Sequence, residues 1–366
     1  MKSLYKTGRD LLYGETGGWR AALLSWPLAF ASLAYVLVVR LRNLLFDRGV
    51  LRQTRVAAKV VSVGNLAVGG TGKTPWIVFL AQELRQRGVP VAIVSRGYKA
   101  GREGSVAVVS DGERLLLPPD EAGDEPTLIA RRCPGVPVVL GARRADAARV
   151  AIERFHARVV LLDDAFQHRY LARDVDLVNF HARIGTGSGL CLPAGILREP
   201  VSSLRRATAL VVHGDGERGE LLADSLRRSF PDKRLFRSRL ATRGLVGLRT
   251  GRRLDPAALA GKRVLAFAGI AIPDALFDEV RRHGPSDLAT QPYPDHFRYT
   301  SAEIERLAAL ARAGGVDYTI TSEKDAMKID PRWIADPGEL FFLEGDIEIE
   351  GGREAFLAWF METLRP

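Results

Sequence analysis

Sulfur and histidine are scarce in this chain, with two cysteines, three methionines and six histidines among 366 residues. Cys133 and Cys191 stand far apart with no metal-ligand spacing around them, so no disulfide framework is available and a reducing compartment is expected. Their natural use is as small buried apolar side chains. Internal repeats and low-complexity tracts are also missing. Acids run short against 53 Lys and Arg, leaving a formal charge of +10, and the shortage is local. Between Met1 and Lys59 ten basic residues face three acids, a net of +7. That excess brackets an apolar segment, so nucleic acid is not the partner it points to. Long uncharged runs are equally rare, Ala21 to Val39 being the one that stands out, and no small-residue cleavage site precedes the arginines after it, which argues against a removed leader.

At about 1.5 Å per helical residue, Ala21 to Val39 roughly matches the hydrocarbon core of a bilayer. Pro27, the aromatics Trp19, Trp26 and Tyr35, and the flanking Arg40 and Arg42 fit a short span or a helix lying in the interface. The basic run from Arg40 to Lys59 favours an anionic cytoplasmic leaflet. A buried helix of a soluble protein is the alternative.

The most informative stretch is Val61 to Pro75, VSVGNLAVGGTGKTP, a short β-type run joined to a glycine loop that ends in Gly-Lys-Thr. Gly69, Gly70 and Gly72 leave room for backbone N–H groups to turn inward on phosphates. Lys73 adds a point charge and Thr74 a hydroxyl for Mg²⁺. The next segment, Thr74 to Arg87, reads as a helix whose positive N-terminus faces the same phosphates. One departure from the strict spelling is Ala67, where a first glycine belongs. Some ninety residues on, the apolar run Arg158 to Leu162 leads into Asp163 and Asp164, a strand ending in carboxylates of the kind that hold Mg²⁺ opposite a Lys-Thr. The sequence does not say which of the two aspartates touches the metal.

Between these landmarks the chain alternates. Strands are expected at 89–95, 106–109, 136–140, 176–180 and 209–213, with an acidic loop at 120–126 leading into a helix over 127–132. A length of 366 residues suits two folded units. After a basic stretch at 234–255, read as a linker of short strands, a second α/β pattern starts near Lys262 and closes with an amphipathic helix over 352–364. The expected division is a membrane-associated segment over 1–45, a P-loop domain over 46–233, a β linker over 234–258 and a C-terminal α/β domain over 259–366.

Seven motifs in order, VGNLAVGGTGKTP (63–75), SRGY (95–98), GDEP (123–126), LLDDAFQH (161–168), LPAGILREP (192–200), PDHFRY (294–299) and TSEKDAMK (321–328), resemble the tetraacyldisaccharide 4'-kinase family over nearly the whole chain. This is the membrane-bound lipid A kinase of Gram-negative bacteria. Departures are Ala165 for a more usual glycine, His181 for an acid, and a looser glycine spelling over 185–189. The resemblance implies two α/β/α sandwiches joined by a small β linker, the first P-loop NTPase-like, with the active site in the cleft and an N-terminal membrane helix. It implies transfer of the γ-phosphoryl of ATP to the 4'-hydroxyl of a tetraacylated glucosamine disaccharide 1-phosphate at the cytoplasmic face of the bacterial inner membrane. Carried over by position, Asn65, Val68, Gly69, Gly70, Thr71, Gly72, Lys73 and Thr74 bind ATP. Thr74, Glu125, Asp163 and Asp164 belong to the Mg²⁺ network, and Asp124 accepts the proton. Tyr98, Arg143, His168, Arg198 and Asp295 face the substrate. His296 completes an acid/base pair with Asp124, expected to be assembled across the two domains only when the cleft closes.

Two rival readings are a membrane-anchored P-loop ATPase or GTPase switch and a non-catalytic nucleotide-binding scaffold. The first lacks a guanine-specific Asn-Lys-x-Asp motif, and the second has no use for the loop carrying Asp124.

Overall fold

The computed structural model describes residues 19–97, 106–335 and 339–365. Two compact units emerge, one from residues 1–116, 133–239 and 348–366, the other from 117–132 and 240–347. The expected division differs at two places. Residues 117–132 go with the second unit, although they lie inside the expected P-loop domain, and 348–366 return to the first.

Unit 1 begins with helix α1 (Trp19–Asp47) and continues through β1 (Lys59–Asn65), α2 (Lys73–Gln86), β2 (Val91–Ser95) and β3 (Ala107–Ser110). After the excursion into unit 2 come β4 (Val138–Leu140), α5 (Arg144–Phe155), β5 (Val159–Asp163), β6 (Val175–His181), β7 (Ala209–His213), α6 (Glu217–Ser229) and the start of β8 (Arg234–Gly247). The excursion itself holds α3 (Pro119–Ala122) and α4 (Asp124–Arg132). In spatial order the strands run β3-β4-β2-β5-β1-β6-β7-β8, parallel except for the antiparallel edge strand β3. Near-continuous Val/Leu runs such as VAIVS and VVLLD are buried at every position, as strands covered on both faces must be. From β1 the chain turns to β2 on one side, and from β5 it crosses to β6 on the other. The carboxyl ends of β1, β5 and β6 therefore flank a point of reversal, where open α/β sheets bind ligands.

Helix α1 extends eight residues past the apolar run, because nothing in Arg40 to Asp47 breaks it before the left-handed Gly49. Its sides differ. Ser32, Val39, Asn43 and Phe46 are buried, while Trp26, Phe30, Leu33, Leu37, Leu41 and Leu44, spaced by three and four, are exposed. By length and composition Trp26–Asp47 is apolar enough to cross a membrane, with a mean hydropathy of 1.6. Helix α6 has no counterpart among the sequence expectations, since its apolar positions are few; Glu217 and Glu220 lie in its first turn and Arg227 and Arg228 in its last, matching the helix dipole.

Unit 2 carries the parallel strands β10 (Arg263–Ala268), β11 (Asp287–Pro292), β12 (Tyr318–Ser322) and β13 (Leu340–Ile349) in the order β11-β10-β12-β13. Around them lie α7 (Pro273–Arg282), α8 (Ser301–Ala313) and the single turn α9 (Glu323–Ala326). The stretch expected as a linker of short strands is one 14-residue strand, β8, with the two-residue β9 (Arg253–Leu254) antiparallel to its end. The expected acidic loop is helical as well. Gly123, at φ 90°, separates α3 from α4, and α4 starts at Asp124, with Asp124 and Glu125 in its first turn where the dipole favours anions. Arg132 at its end binds Glu323 at 2.8 Å and Asp346 at 2.6 Å, which ties 117–132 into unit 2. Closing helix α10 (Arg353–Thr363) instead seats Phe356 against Trp76 and Phe79 of α2, in unit 1.

Candidate active site

The phosphate loop leaves β1 at the buried Asn65, whose Nδ2 donates to Ala67 O at 2.5 Å. Ala67 bridges Leu197 and is itself buried, so the methyl group that departs from the glycine spelling is packed rather than crowded out. Val68 donates its N–H to Ile196 O at 2.8 Å, so this expected nucleotide-binding residue anchors the loop instead of offering that N–H to a phosphate. Gly69 and Gly70 are exposed, and left-handed backbone occurs at Gly69 (φ 105°) and Gly72 (φ 77°). Helix α2 then starts at Lys73, with Thr74 half-buried beside it. Three buried acceptors around this loop, Asn65 Oδ1, Thr71 Oγ1 and Asn179 Oδ1, have no partner among the described residues. Buried polar atoms are nearly always paired, so their concentration here fits a loop built to receive a ligand.

Across from the loop, β5 ends in the buried Asp163, whose Oδ2 accepts from Ser95 Oγ at 3.0 Å. Asp164 follows in left-handed backbone, φ 48°, a conformation that costs a non-glycine residue and often marks functional sites. Lys73 Nζ lies 3.6 Å from Asp164 Oδ1, and Arg198 Nη1 donates to both carboxylate oxygens at 3.0 and 2.9 Å. Burial opposes the Asp164 charge, but Lys73 and Arg198 outweigh it and hold the carboxyl below its ordinary range. The Arg198 turn is fixed in its backbone too, its N–H donating to Leu66 O at 2.8 Å and its carbonyl accepting from Tyr35 of α1 at 2.7 Å. Further along α1, Arg42 donates to Gln167 O, and Gln167 Nε2 donates to Asn65 O.

Of the two adjacent arginines, Arg143 points to solvent, 85% exposed, and pairs with Asp146 of its own helix at 3.3 Å. Arg144 is the buried one. Its guanidinium is lowered to about 10 by burial, against the pull of Asp163 and Asp164 and with the help of Arg96. Sequence reading missed Arg144, because only the burial phase of α5 separates the pair. His168 is half-buried and pushed down to about 4, by burial first and then by Arg144, Arg173, Arg42 and Arg96, so its ring is neutral at physiological pH. Tyr98 lies outside the described residues.

Unit 2 gathers the other set. His296, also left-handed at φ 59°, places Nδ1 3.6 Å from Asp124 Oδ2, just beyond hydrogen-bond length. Its backbone N–H donates to Gly269 O and to Asp295 Oδ1. Asp124 and His296 thus belong to one unit, and the expectation that they meet only by closing two domains is corrected: α4 leaves unit 1 with its acids and packs where His296 already is. Glu125 accepts from Lys324 Nζ at 2.9 Å, and the same ammonium is 4.0 Å from Asp295 Oδ1. Lys324 carried no role in the sequence reading, although its motif was noted. Among the described residues no group of three or more His, Cys, Asp or Glu forms a metal cage. Magnesium typically takes one or two carboxylates together with substrate phosphates, so it needs no such cage.

Chemically, unit 1 offers a cationic cradle with a fixed carboxylate, and unit 2 offers a carboxylate beside an imidazole. The family model for tetraacyldisaccharide-1-P 4'-kinase, LpxK, matches residues 24–365. A tetraacyldisaccharide 4'-kinase of Anaeromyxobacter dehalogenans is 42% identical over 351 residues, covering 94% of this chain and 92% of the relative. That of Geobacter metallireducens is 42% identical over 304 residues, covering 83% and 88%. The crystal structure of LpxK from Aquifex aeolicus in complex with ATP superimposes with a TM-score of 0.72 at 29% identity, covering 93% of this chain and 99% of that one. A match over nearly the full length, on a fold that carries a phosphate loop and paired aspartates, shows that the chain belongs to the tetraacyldisaccharide 4'-kinase family.

Proposed function

We propose that the chain transfers the γ-phosphoryl of ATP to the 4'-hydroxyl of a tetraacylated disaccharide 1-phosphate, with unit 1 holding the nucleotide and Asp124 accepting the hydroxyl proton. The observation that carries this reading is the Lys73–Asp164–Arg198 cluster at the mouth of the phosphate loop. Phosphoryl transfer asks the protein mainly for position and charge neutralisation, and fixed cations beside a glycine loop supply both. Lys73 neutralises phosphate oxygens, and Arg198 is held by its backbone so that its guanidinium stays at the site. Thr74 and the Asp163/Asp164 pair would hold Mg²⁺, which would supply Lewis-acid neutralisation of the phosphate charge. Asp124 takes the acceptor proton, and His296 orients the carboxylate or shares that proton.

The membrane reading rests on α1. Ser32 Oγ donates to Cys191 O at 2.8 Å and Tyr35 to Arg198 O, so the middle of the helix is held against the kinase unit while its apolar stripe faces outward. A span centred on Ala21 to Val39 would carry those bonds into hydrocarbon. We therefore read α1 as lying in the interface of the cytoplasmic leaflet.

An assay with labelled ATP and a dispersed tetraacyl glycolipid, separated by thin-layer chromatography, tests the reaction. Label must appear on the glycolipid; label released only as inorganic phosphate would instead support the hydrolytic switch. Replacing Leu33, Leu37 and Leu41 by serine leaves the docked face intact and should release the protein from anionic vesicles in flotation. Unchanged flotation would sink the membrane reading.

A further inference from the structure

The last glycine of the phosphate loop is walled by a residue with no assigned role. Gly72, the N-cap of α2, sits in left-handed backbone, and a Cβ built there would meet His213 Cδ2 at 2.6 Å and Cγ at 2.8 Å. The imidazole of His213 therefore lies against the Gly72 α-carbon with no room between them. On the other side Asn179 of β6 donates from Nδ2 to Gly72 O at 3.4 Å, a long bond. His213 closes β7, where its carbonyl accepts from Ala182 N, and it pairs in register with His181 of β6 and Ser238 of β8.

Two hydrogen bonds hold the ring from behind. Trp76, fully buried in the first turn of α2, has an indole N–H that can only donate, and it donates to Ser238 Oγ at 3.1 Å. Ser238 Oγ is in turn 3.2 Å from His213 Nδ1. The serine oxygen accepts from the indole, and with a second lone pair and one hydrogen left it can either accept from Nδ1 or donate to it. Burial pushes this imidazole down to about 4, against a weaker opposite pull from Asp215, so the ring is uncharged at neutral pH. A closed circuit results: Gly72 touches His213, His213 is held by Ser238, Ser238 by Trp76, and Trp76 lies one helical turn beyond Gly72.

We propose that His213 is a positioning residue for phosphoryl transfer, its ring locked by Ser238 and Trp76 so that it sets the left-handed turn at Gly72 and thereby aims Lys73 and Thr74 at the phosphates. The inference rests on the kinase reading above and adds a residue from outside every motif that carried it. Neither Ser238 nor His213 is adjacent in sequence to the loop, yet both fix its exit angle. Misaiming by about 1 Å is enough to lose up to ~10²-fold in rate, so a wall of this kind bears directly on turnover.

The test uses the full-length protein with ATP and a dispersed tetraacyl disaccharide 1-phosphate. Replacing His213→Ala should lower kcat/KM for ATP roughly 10- to 100-fold, with KM for the lipid acceptor unchanged. His213→Phe restores a planar wall without the nitrogen and should recover most of that loss. Ser238→Ala, which deletes one oxygen and frees the ring, should show a smaller loss confined to ATP, and it carries the test if His213→Ala does not fold. Wild-type kinetics for both His213→Ala and Ser238→Ala would overturn the proposal. So would losses that affect ATP and acceptor equally and simply follow a fall in Tm. Lys73→Ala, run alongside, separates the two levels: if it is inactive while the His213 variants turn over normally, the kinase reading stands and only this inference fails, whereas a fully active Lys73→Ala removes both.

Discussion

Asp164 and Asp124 are each one residue from a second acid and each lie at the boundary of an element, yet they keep different company. Asp164 sits between two permanent cations, Lys73 at 3.6 Å and Arg198 at 2.9 Å. Asp124 has the half-exposed His296 imidazole 3.6 Å away. A carboxylate pinned by fixed charges is a poor base and a good electrostatic anchor. One beside an imidazole can pass a proton on. On the proposed reading, unit 1 carries the static half of the chemistry and unit 2 the mobile half, and each half can be broken alone.

The mobile half should give the largest effects. Asp124→Ala and His296→Ala are each expected to lower kcat by roughly 10²–10⁴-fold, the range for a positioned acid/base group, with ATP binding nearly intact. The double variant should be scarcely worse than the worse single, because groups acting as a unit are non-additive. Fully multiplicative losses in steady-state kinetics would show the two residues working independently and dissolve the comparison. In the static half, Lys73→Ala should cost roughly 10²–10³-fold in kcat/KM for ATP, as for removal of one electrostatic stabiliser. Its melting curve should stay close to wild type, since no core volume is lost. Arg198→Gln leaves Asp164 with one cation and should cost about tenfold, equivalent to ~1.4 kcal/mol of lost stabilisation; Arg198→Lys should return part of it if charge is what matters. A Lys variant no better than Gln would show that the fork geometry is what counts.

The smallest effect concerns stability. His168, His181 and His213 of unit 1 are pushed from an ordinary 6.5 to about 4, 3 and 4, chiefly by burial. Below about pH 6.5 the unfolded chain takes up protons there that the folded chain refuses, so stability falls as the pH drops toward 4. Calorimetry from pH 7.5 to 4.5 should show Tm declining, and His181→Asn should flatten the slope. A Tm independent of pH in that window would mean that these rings are more accessible than their packing implies.

Local chemistry made much of this legible in advance. Val61 to Thr74 and Arg158 to Asp164 betray their roles because strand, glycine turn and carboxylate follow one another within a few residues. What escaped the sequence depends on which partner a segment chooses. Residues 117–132 look like part of an uninterrupted α/β alternation, and only the Arg132 pairs with Glu323 and Asp346 reveal their allegiance. Arg143 and Arg144 are identical to any pattern, and burial alone distinguishes them. Val68 sits inside the phosphate-loop motif, yet its N–H is already committed to Ile196. His213 lies about 140 residues from the glycine it abuts, a separation no motif encodes.

The return of α10 to unit 1 has a consequence for how the protein is made. Phe356 is fully buried and meets Trp76 at 5.1 Å and Phe79 at 5.9 Å, rings that belong to the phosphate-loop helix. Truncating a core phenylalanine typically costs about 3–5 kcal/mol, so a unit 1 lacking α10 forfeits a large share of a usual folding margin. On the ribosome, the phosphate-loop helix therefore waits, its aromatic face uncovered, while the whole of unit 2 is synthesised. The nucleotide-binding core is the first to start and the last to be finished.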